Sequence, residues 1–167
     1  MSEQSEDVGV LIAVYESEAS AEATMDQLTS MSKAGTIELL DAAIVTREAA
    51  DKVSVHDIAD QHKIGAGRGA IIGGVLGVIF PPSIIGTAIV GGAAGGLYHH
   101  FRDKGFSNKE LENAGQQLQP GQSALVAVAR DRMLERLSQD LSGYVKLTRN
   151  LLDADAAAAV VAEASTT

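Results

Sequence analysis

Residues 69–97, GAIIGGVLGVIFPPSIIGTAIVGGAAGGL, hold no charged side chain and nine of the chain's 17 glycines. Any fold must give this stretch a dry place. Left in water it would display Ile71, Ile72, Val75, Leu76, Ile84 and Ile89 among others, an apolar patch of the kind soluble monomers avoid. Gly65, Gly69, Gly73 and Gly77 recur at every fourth position, which on an α-helix lines them up in one shallow groove. A groove without side chains lets a second helix approach to backbone contact. Gly91 and Gly95, with Gly92 and Gly96, repeat the spacing beyond Pro81-Pro82. The prolines lack a backbone donor, and Pro82 restricts Pro81 as well, so no continuous helix crosses them. The pattern predicts a helical hairpin with its tip at Phe80 to Ser83. The plainer alternative is a flexible apolar loop, since glycine lowers helix stability by about 0.8–1.0 kcal/mol relative to alanine. A loop, however, gives the fourfold spacing no reason to exist.

Two dry places suit such a hairpin, a membrane or other copies of the chain. Gly69 to Phe80 is 12 residues and Ser83 to Tyr98 is 16, so the arms would measure about 18 Å and 24 Å. A bilayer core is about 30 Å thick and takes ~20 helical residues. Neither arm spans it comfortably. Lys63, Arg68, Arg102 and Lys104 flank the segment and suit a re-entrant hairpin entering from the cytoplasmic side. In the other setting, hairpins from several copies bundle into a shared core. Burying about 600 Å² of apolar area per copy would then contribute on the order of 15 kcal/mol before entropic costs.

Charge isolates this segment further. Residues 1–63 carry a balance of −9, residues 64–106 a balance of +2 and residues 107–167 a balance of −2. No basic footprint appears that could displace counterions from nucleic acid. There is no cysteine, hence no disulfide framework, thiolate metal site or cysteine nucleophile. The opening Met1-Ser2-Glu3-Gln4-Ser5-Glu6-Asp7 is acidic and lacks the basic and apolar regions of a secretory signal, so a cytoplasmic chain is expected.

Around the anomalous segment the grammar is that of a small α+β domain. Val8 to Tyr15 is an apolar, β-rich run suited to a strand buried on both faces. Ser17 is placed to cap a helix whose Ala21, Met25 and Leu28 face inward, and Gly35 to end it in a left-handed conformation. Residues 37–47 read as a second strand and the alternation at Val53 and Val55 as a third, joined as a hairpin. Phe106-Ser107-Asn108-Lys109-Glu110-Leu111 combines a capping box with a hydrophobic staple. Leu111, Ala114 and Leu118 give the helix that follows one apolar face, and Pro120-Gly121 turns it out. Ser123 to Arg130 reads as another buried strand. Asp131 is expected to cap a helix with Leu134, Leu137 and Leu141 inward and Gly143 as its stop. Tyr144 to Leu151 reads as a strand, and Asp153 opens an alanine-rich tail helix.

The expected fold is therefore an α+β, ferredoxin-like βαββαβ sandwich. An apolar glycine-rich helical hairpin is inserted between its third strand and second helix, and an αβα extension follows at the C-terminus. The domain boundaries are an acidic tail over 1–7, the first part of the sandwich over 8–63 and the hairpin over 64–104. The second part occupies 105–152 and the alanine-rich tail 153–167.

The glycine-rich arms joined at Phe80-Pro81-Pro82-Ser83, followed by a capped helix, LQPGQSALVAVA and GYVKLTRNLLD, resemble the DUF1269 family. These are bacterial proteins of unknown function, often labelled membrane proteins. The resemblance covers most of residues 8–152 and supports the architecture. It implies no catalytic residue.

Chemistry is sparse elsewhere. His99 and His100 are adjacent and would point about 100° apart on a helix; His56 and His62 would meet only across a strand end, and a metal wants two or three converging ligands. Gly65-Ala66-Gly67 is followed by Ala70 where a nucleotide-binding loop would have its third glycine. Asp57 and Asp60 sit in an acidic stretch that reads as solvated. No serine-nucleophile elbow or zinc-protease motif occurs. The expectation is a non-enzymatic protein without cofactor, whose partner is itself and, through the same hairpin, a lipid membrane. The interface would consist of Gly65, Gly69, Gly73, Gly77, Phe80, Pro81, Pro82, Gly91, Gly92, Gly95 and Gly96. The alternative is an integral or anchored membrane protein carrying a cytosolic, ligand-sensing ferredoxin-like domain at the inner face of the cell membrane.

Overall fold

The structure, a computed structural model, describes residues 7–49, 52–57 and 116–152, together with 157, 158 and 161. These form an α+β unit in the order β1 (Val8–Tyr15), α1 (Glu18–Lys33), β2 (Leu39–Ala49), β3 (Lys52–Asp57), β4 (Ser123–Arg130), α2 (Asp131–Asp140) and β5 (Lys146–Leu151). The five strands make one antiparallel sheet in the order β3-β2-β4-β1-β5.

The local signals act as the sequence indicates through the first half. Ser17 is extended and its Oγ accepts the Ser20 amide at 3.3 Å, opening α1. Ala21, Met25 and Leu28 are buried on the inner side of that helix. Gly35 follows with φ +76°, a conformation that costs glycine no Cβ clash. β2 and β3 form the expected hairpin, with Val45 opposite Val55. Gly121 takes φ +89° in the turn ahead of β4.

The second half departs from expectation in four places. β3 is an edge strand that pairs with β2, and β4 lies between β2 and β1. Residues 131–151 are no extension, because α2 packs on the sheet and β5 pairs with β1 along Gly9–Val14. The reason lies in polarity. SALVAVAR is apolar toward both faces and fits only a central strand, whereas KLTRNL keeps polar groups that suit an edge. Asp131 is the first residue of α2 rather than its cap. Arg130 holds the cap position without a side-chain bond, and Asp131 contributes its charge to the first turn. Gly143, with φ +77°, turns the chain toward β5 after α2 has already ended at Asp140. The capping box at Ser107 and Glu110 and the tail-opening Asp153 lie outside the described residues.

Both helices pack against one side of the sheet. Leu11, Ala13, Tyr15, Ala42, Ile44, Leu125, Ala127 and Ala129 from the strands meet Ala21, Met25 and Leu28 of α1 and Leu134 and Leu137 of α2 in a continuous core. β1 and β2 each run antiparallel to β4 and hence parallel to each other, with α1 joining them; β4 and β5 are likewise parallel and joined by α2. Each helix thus spans a strand lying between the two it connects.

Candidate functional site

The eleven residues expected at an interface, from Gly65 through Pro81 and Pro82 to Gly96, all lie outside the described residues. So do His62, His99 and His100. His56 is in β3, its backbone opposite Ile44. Among the described residues no group of His, Asp or Glu is arranged to hold a metal ion, and no helix is long and apolar enough to cross a membrane. What the structure adds is the far side of the sheet.

Side chains alternate across a strand, so the residues between those of the helix-covered core point the other way. On β1 these are Val8, Val10, Ile12 and Val14; on β4, Ala124, Val126 and Val128; on β2, Ala43 and Val45. None is more than 5% exposed. Neither α1 nor α2 lies on this side, since both belong to the core on the other face. A solvated antiparallel sheet would show polar residues here. This one is dry on both faces.

Two polar features interrupt the second face. Asp41 is 2% exposed, and its Oδ1 accepts the Ala42 amide at 2.9 Å where the β2–β4 register shifts. A carboxylate is buried this fully only with bonding partners. The lone acid in the run LLDAAIV was the signal for it. Arg47 sits at the other end of β2, on the same face as Val45. Its guanidinium Nη1 donates to the Leu118 carbonyl at 2.8 Å. The backbones also clasp, with Gly121 N–H to Arg47 O at 2.7 Å and Arg47 N–H to Gln122 O at 3.1 Å. From the opposite flank Lys146, which faces the same way as its β1 neighbour Val14, donates its Nζ to the Gln117 side chain. Leu118 between these two grips is 1% exposed and takes no part in the helix-side core. Sequence reasoning missed this clasp, because it depends on a strand order that residue patterns do not reveal.

The helix side has its own tight spot. A Cβ on Gly9 would lie 2.8 Å from the Asn150 carbonyl and 2.8 Å from Leu134 Cδ1, so glycine lets β1, β5 and α2 approach closely. On the same face Thr46 and Ser123 share a buried 2.8 Å hydroxyl hydrogen bond. Outside both faces, the large apolar side chains exposed among the described residues are Tyr144, Val145 and Leu151, all at or beside the β5 edge.

The sheet thus has one face under two helices and an apolar second face gripped at its flanks by Arg47 and Lys146. The chain belongs to the DUF1269 family, proteins of unknown function, whose model matches residues 66–164. The match takes in the whole uncharged segment together with β4, α2 and β5. It begins after β3 and runs through most of the alanine-rich tail, a later span than the 8–152 expected. No curated protein and no solved structure matches the chain.

Proposed function

We propose that this protein is a non-enzymatic self-assembling module, in which a ferredoxin-like sandwich carries a glycine-notched helical hairpin that associates with the hairpins of other copies. The observation that carries the reading is the uncharged segment 69–97 with its fourfold glycine spacing, inside the span matched by the family model. Support for the sandwich comes from strand order. With β3 set aside as an added edge, the sequence β1, α1, β2, β4, α2, β5 with its two interleaved parallel pairs follows the βαββαβ pattern. In this assignment the sandwich's third strand is β4 and its second helix is α2, so the hairpin falls between the second and third strands of the motif.

Removal of apolar surface from water drives such segments together. Glycine faces let helices pack at backbone distance, and the branched residues beside them leave water. A re-entrant membrane position would use the same faces, and the flanking cations Lys63, Arg68, Arg102 and Lys104 favour it as the second setting. In both settings the segment works as an interface.

Light scattering on protein purified without detergent tests the proposal. We expect a homogeneous complex larger than one chain, and Gly73→Leu with Gly77→Leu should reduce it to smaller species by filling the groove. A native protein already at monomer mass in lipid-free buffer contradicts the assembly. Protein that stays with sedimented membranes after carbonate extraction selects the membrane setting.

A further inference from the structure

We infer that the outer edge of β5 pairs antiparallel with the β5 edge of a second copy, joining two sheets about a two-fold axis at Thr148. The inference goes beyond hairpin assembly, because it uses a different surface and stands or falls without the hairpin.

The register of β5 determines which backbone groups are open. Leu152 donates its amide to the Val8 carbonyl at 2.9 Å, and bonded pairs in an antiparallel ladder recur at every second residue. Asn150, Thr148 and Lys146 therefore turn their backbone groups inward, to Val10, Ile12 and Val14. Leu147, Arg149 and Leu151 turn theirs outward, where the sheet order ends and no strand follows among the described residues. Such a row of donors and acceptors is a template for another strand. At or beside this edge stand the large apolar side chains that the described residues leave in water, Val145 at 54%, Leu151 at 45% and Tyr144 at 37% exposed.

Self-complementarity names the occupant. Two copies related by a two-fold axis present the same patch to each other, so β5 must match its own sequence read backwards. Centring on Thr148 achieves this. Thr148 then faces Thr148 of the second copy, a favourable cross-strand pair, while Lys146 faces Asn150 and Val145 comes beside Leu151 at both ends. Leu147 and Arg149 of each copy exchange backbone hydrogen bonds with Arg149 and Leu147 of the other. Centring on Lys146 or Arg149 would instead set like charges directly opposite, which destabilises a strand pair. Centring on Leu147 or Asn150 would set an apolar residue, Val145 or Leu151, against Arg149. Charged side chains commonly guard an edge against pairing, but both cations here are drawn onto their own chain. Lys146 donates to the Gln117 side chain, and Arg149 lies 3.9 Å from the Asp131 carboxylate.

The chain has no cysteine, so a single introduced one reports contact between copies alone. In the paired register the two Thr148 residues form a non-hydrogen-bonded pair with Cα atoms about 4.5 Å apart, a spacing that a disulfide bridges. Thr148→Cys in the full-length protein, under mild oxidation, should give a disulfide-linked dimer, and Ser54→Cys on the β3 edge should lag far behind it. Equal rates at the two positions, or no dimer from Thr148→Cys, overturn the inference. Amide exchange in the unsubstituted protein gives a second readout that no folding defect can blur. A six-residue edge is a small interface, so its pairing should depend on concentration. The outward amides of Leu147, Arg149 and Leu151 should exchange slowly in concentrated protein and about tenfold faster after dilution. Fast exchange at both concentrations, or protection that dilution leaves unchanged, overturns the pairing. The crosslinking is repeated with Gly73→Leu and Gly77→Leu present. A Thr148→Cys dimer that persists there supports the edge whatever becomes of hairpin assembly, and its loss there overturns the edge as an interface of its own.

Discussion

The two faces of the sheet are equally dry and are built differently. The helix side mixes large strand residues, Leu11, Tyr15, Ile44 and Leu125, with small ones, Ala13, Ala42, Ala127 and Ala129, and packs them on Met25 and Leu28 of α1 and Leu134 and Leu137 of α2. The other side is a floor of mostly β-branched residues, with Val10, Ile12, Val126, Val128 and Val45 beside Ala43 and Ala124, bounded by Arg47 and Lys146 at its flanks. The first surface makes its contacts with helices that the sheet's own strands lead into. The second ends in polar grips, where Arg47 donates to the Leu118 carbonyl and Lys146 to the Gln117 side chain. The contrast teaches that two faces equally out of water can be held differently, one by the helices α1 and α2 and the other by polar grips at its flanks.

Adjacent residues on β4 offer the sharpest probe. Leu125 belongs to the helix side and Val126 to the floor. Leu125→Ala is expected to cost about 2–5 kcal/mol in urea unfolding through lost transfer energy and a residual cavity. Val126→Ala should cost about 2 kcal/mol, since it removes two methyl groups' worth of buried surface. A null effect at Val126 would break the claim that the floor is dry in solution.

Gly9→Ala comes next. The added methyl would meet a backbone oxygen and Leu134 Cδ1, each at 2.8 Å, and overpacking of this kind costs about 1–3 kcal/mol. The loss should appear in thermal unfolding and be relieved in part by Leu134→Ala in the same chain, because the helix-side contact is one of the two. Additive losses would mean that the closeness to α2 is not what requires glycine there.

The smallest effect is expected at the β2–β3 hairpin. Lys52 and Glu48 pair at 2.8 Å in the open, and the hydrogen bond and charge of Glu48 raise the lysine's pKa above its ordinary value of 10.5. A raised lysine pKa adds stability below the unfolded-state value and loses it as pH climbs through the folded-state value, so any effect belongs to strongly alkaline solution. Exposed pairs of this kind contribute little. Urea midpoints of Lys52→Met and the native chain should coincide from pH 6 to pH 9, and a clear separation there would show that the pair matters more than its exposure implies.

Much of this architecture is legible in the residues. VGVLIAVY and SALVAVAR appear as strands over the same residues that the sequence assigns, and Ser17, Gly35 and Gly121 do locally what their chemistry suggests. Strand order was not legible, for a physical reason. A strand that is apolar on both faces has no alternation to indicate which neighbour or which side it prefers, so the central place of β4 and the integration of α2 and β5 had to be read from pairing. Asp131 had the residue type of a cap, but Arg130 occupies that position. The candidate interface, from Gly65 to Gly96, remains a reading of spacing and composition, because those residues lie outside the described part of the chain. The clasp at Arg47, Leu118, Gln117 and Lys146 joins residues up to 99 apart in sequence, a separation that no local pattern spans.

Self-assembly requires that the uncharged, glycine-notched segment bring copies together. Multi-angle light scattering on detergent-free, full-length protein measures this directly. A single species of several chains, falling to lower mass when Gly73 and Gly77 become leucine while the sheet still unfolds cooperatively, is the predicted result. A lone chain of 17.3 kDa in the native sample would contradict it.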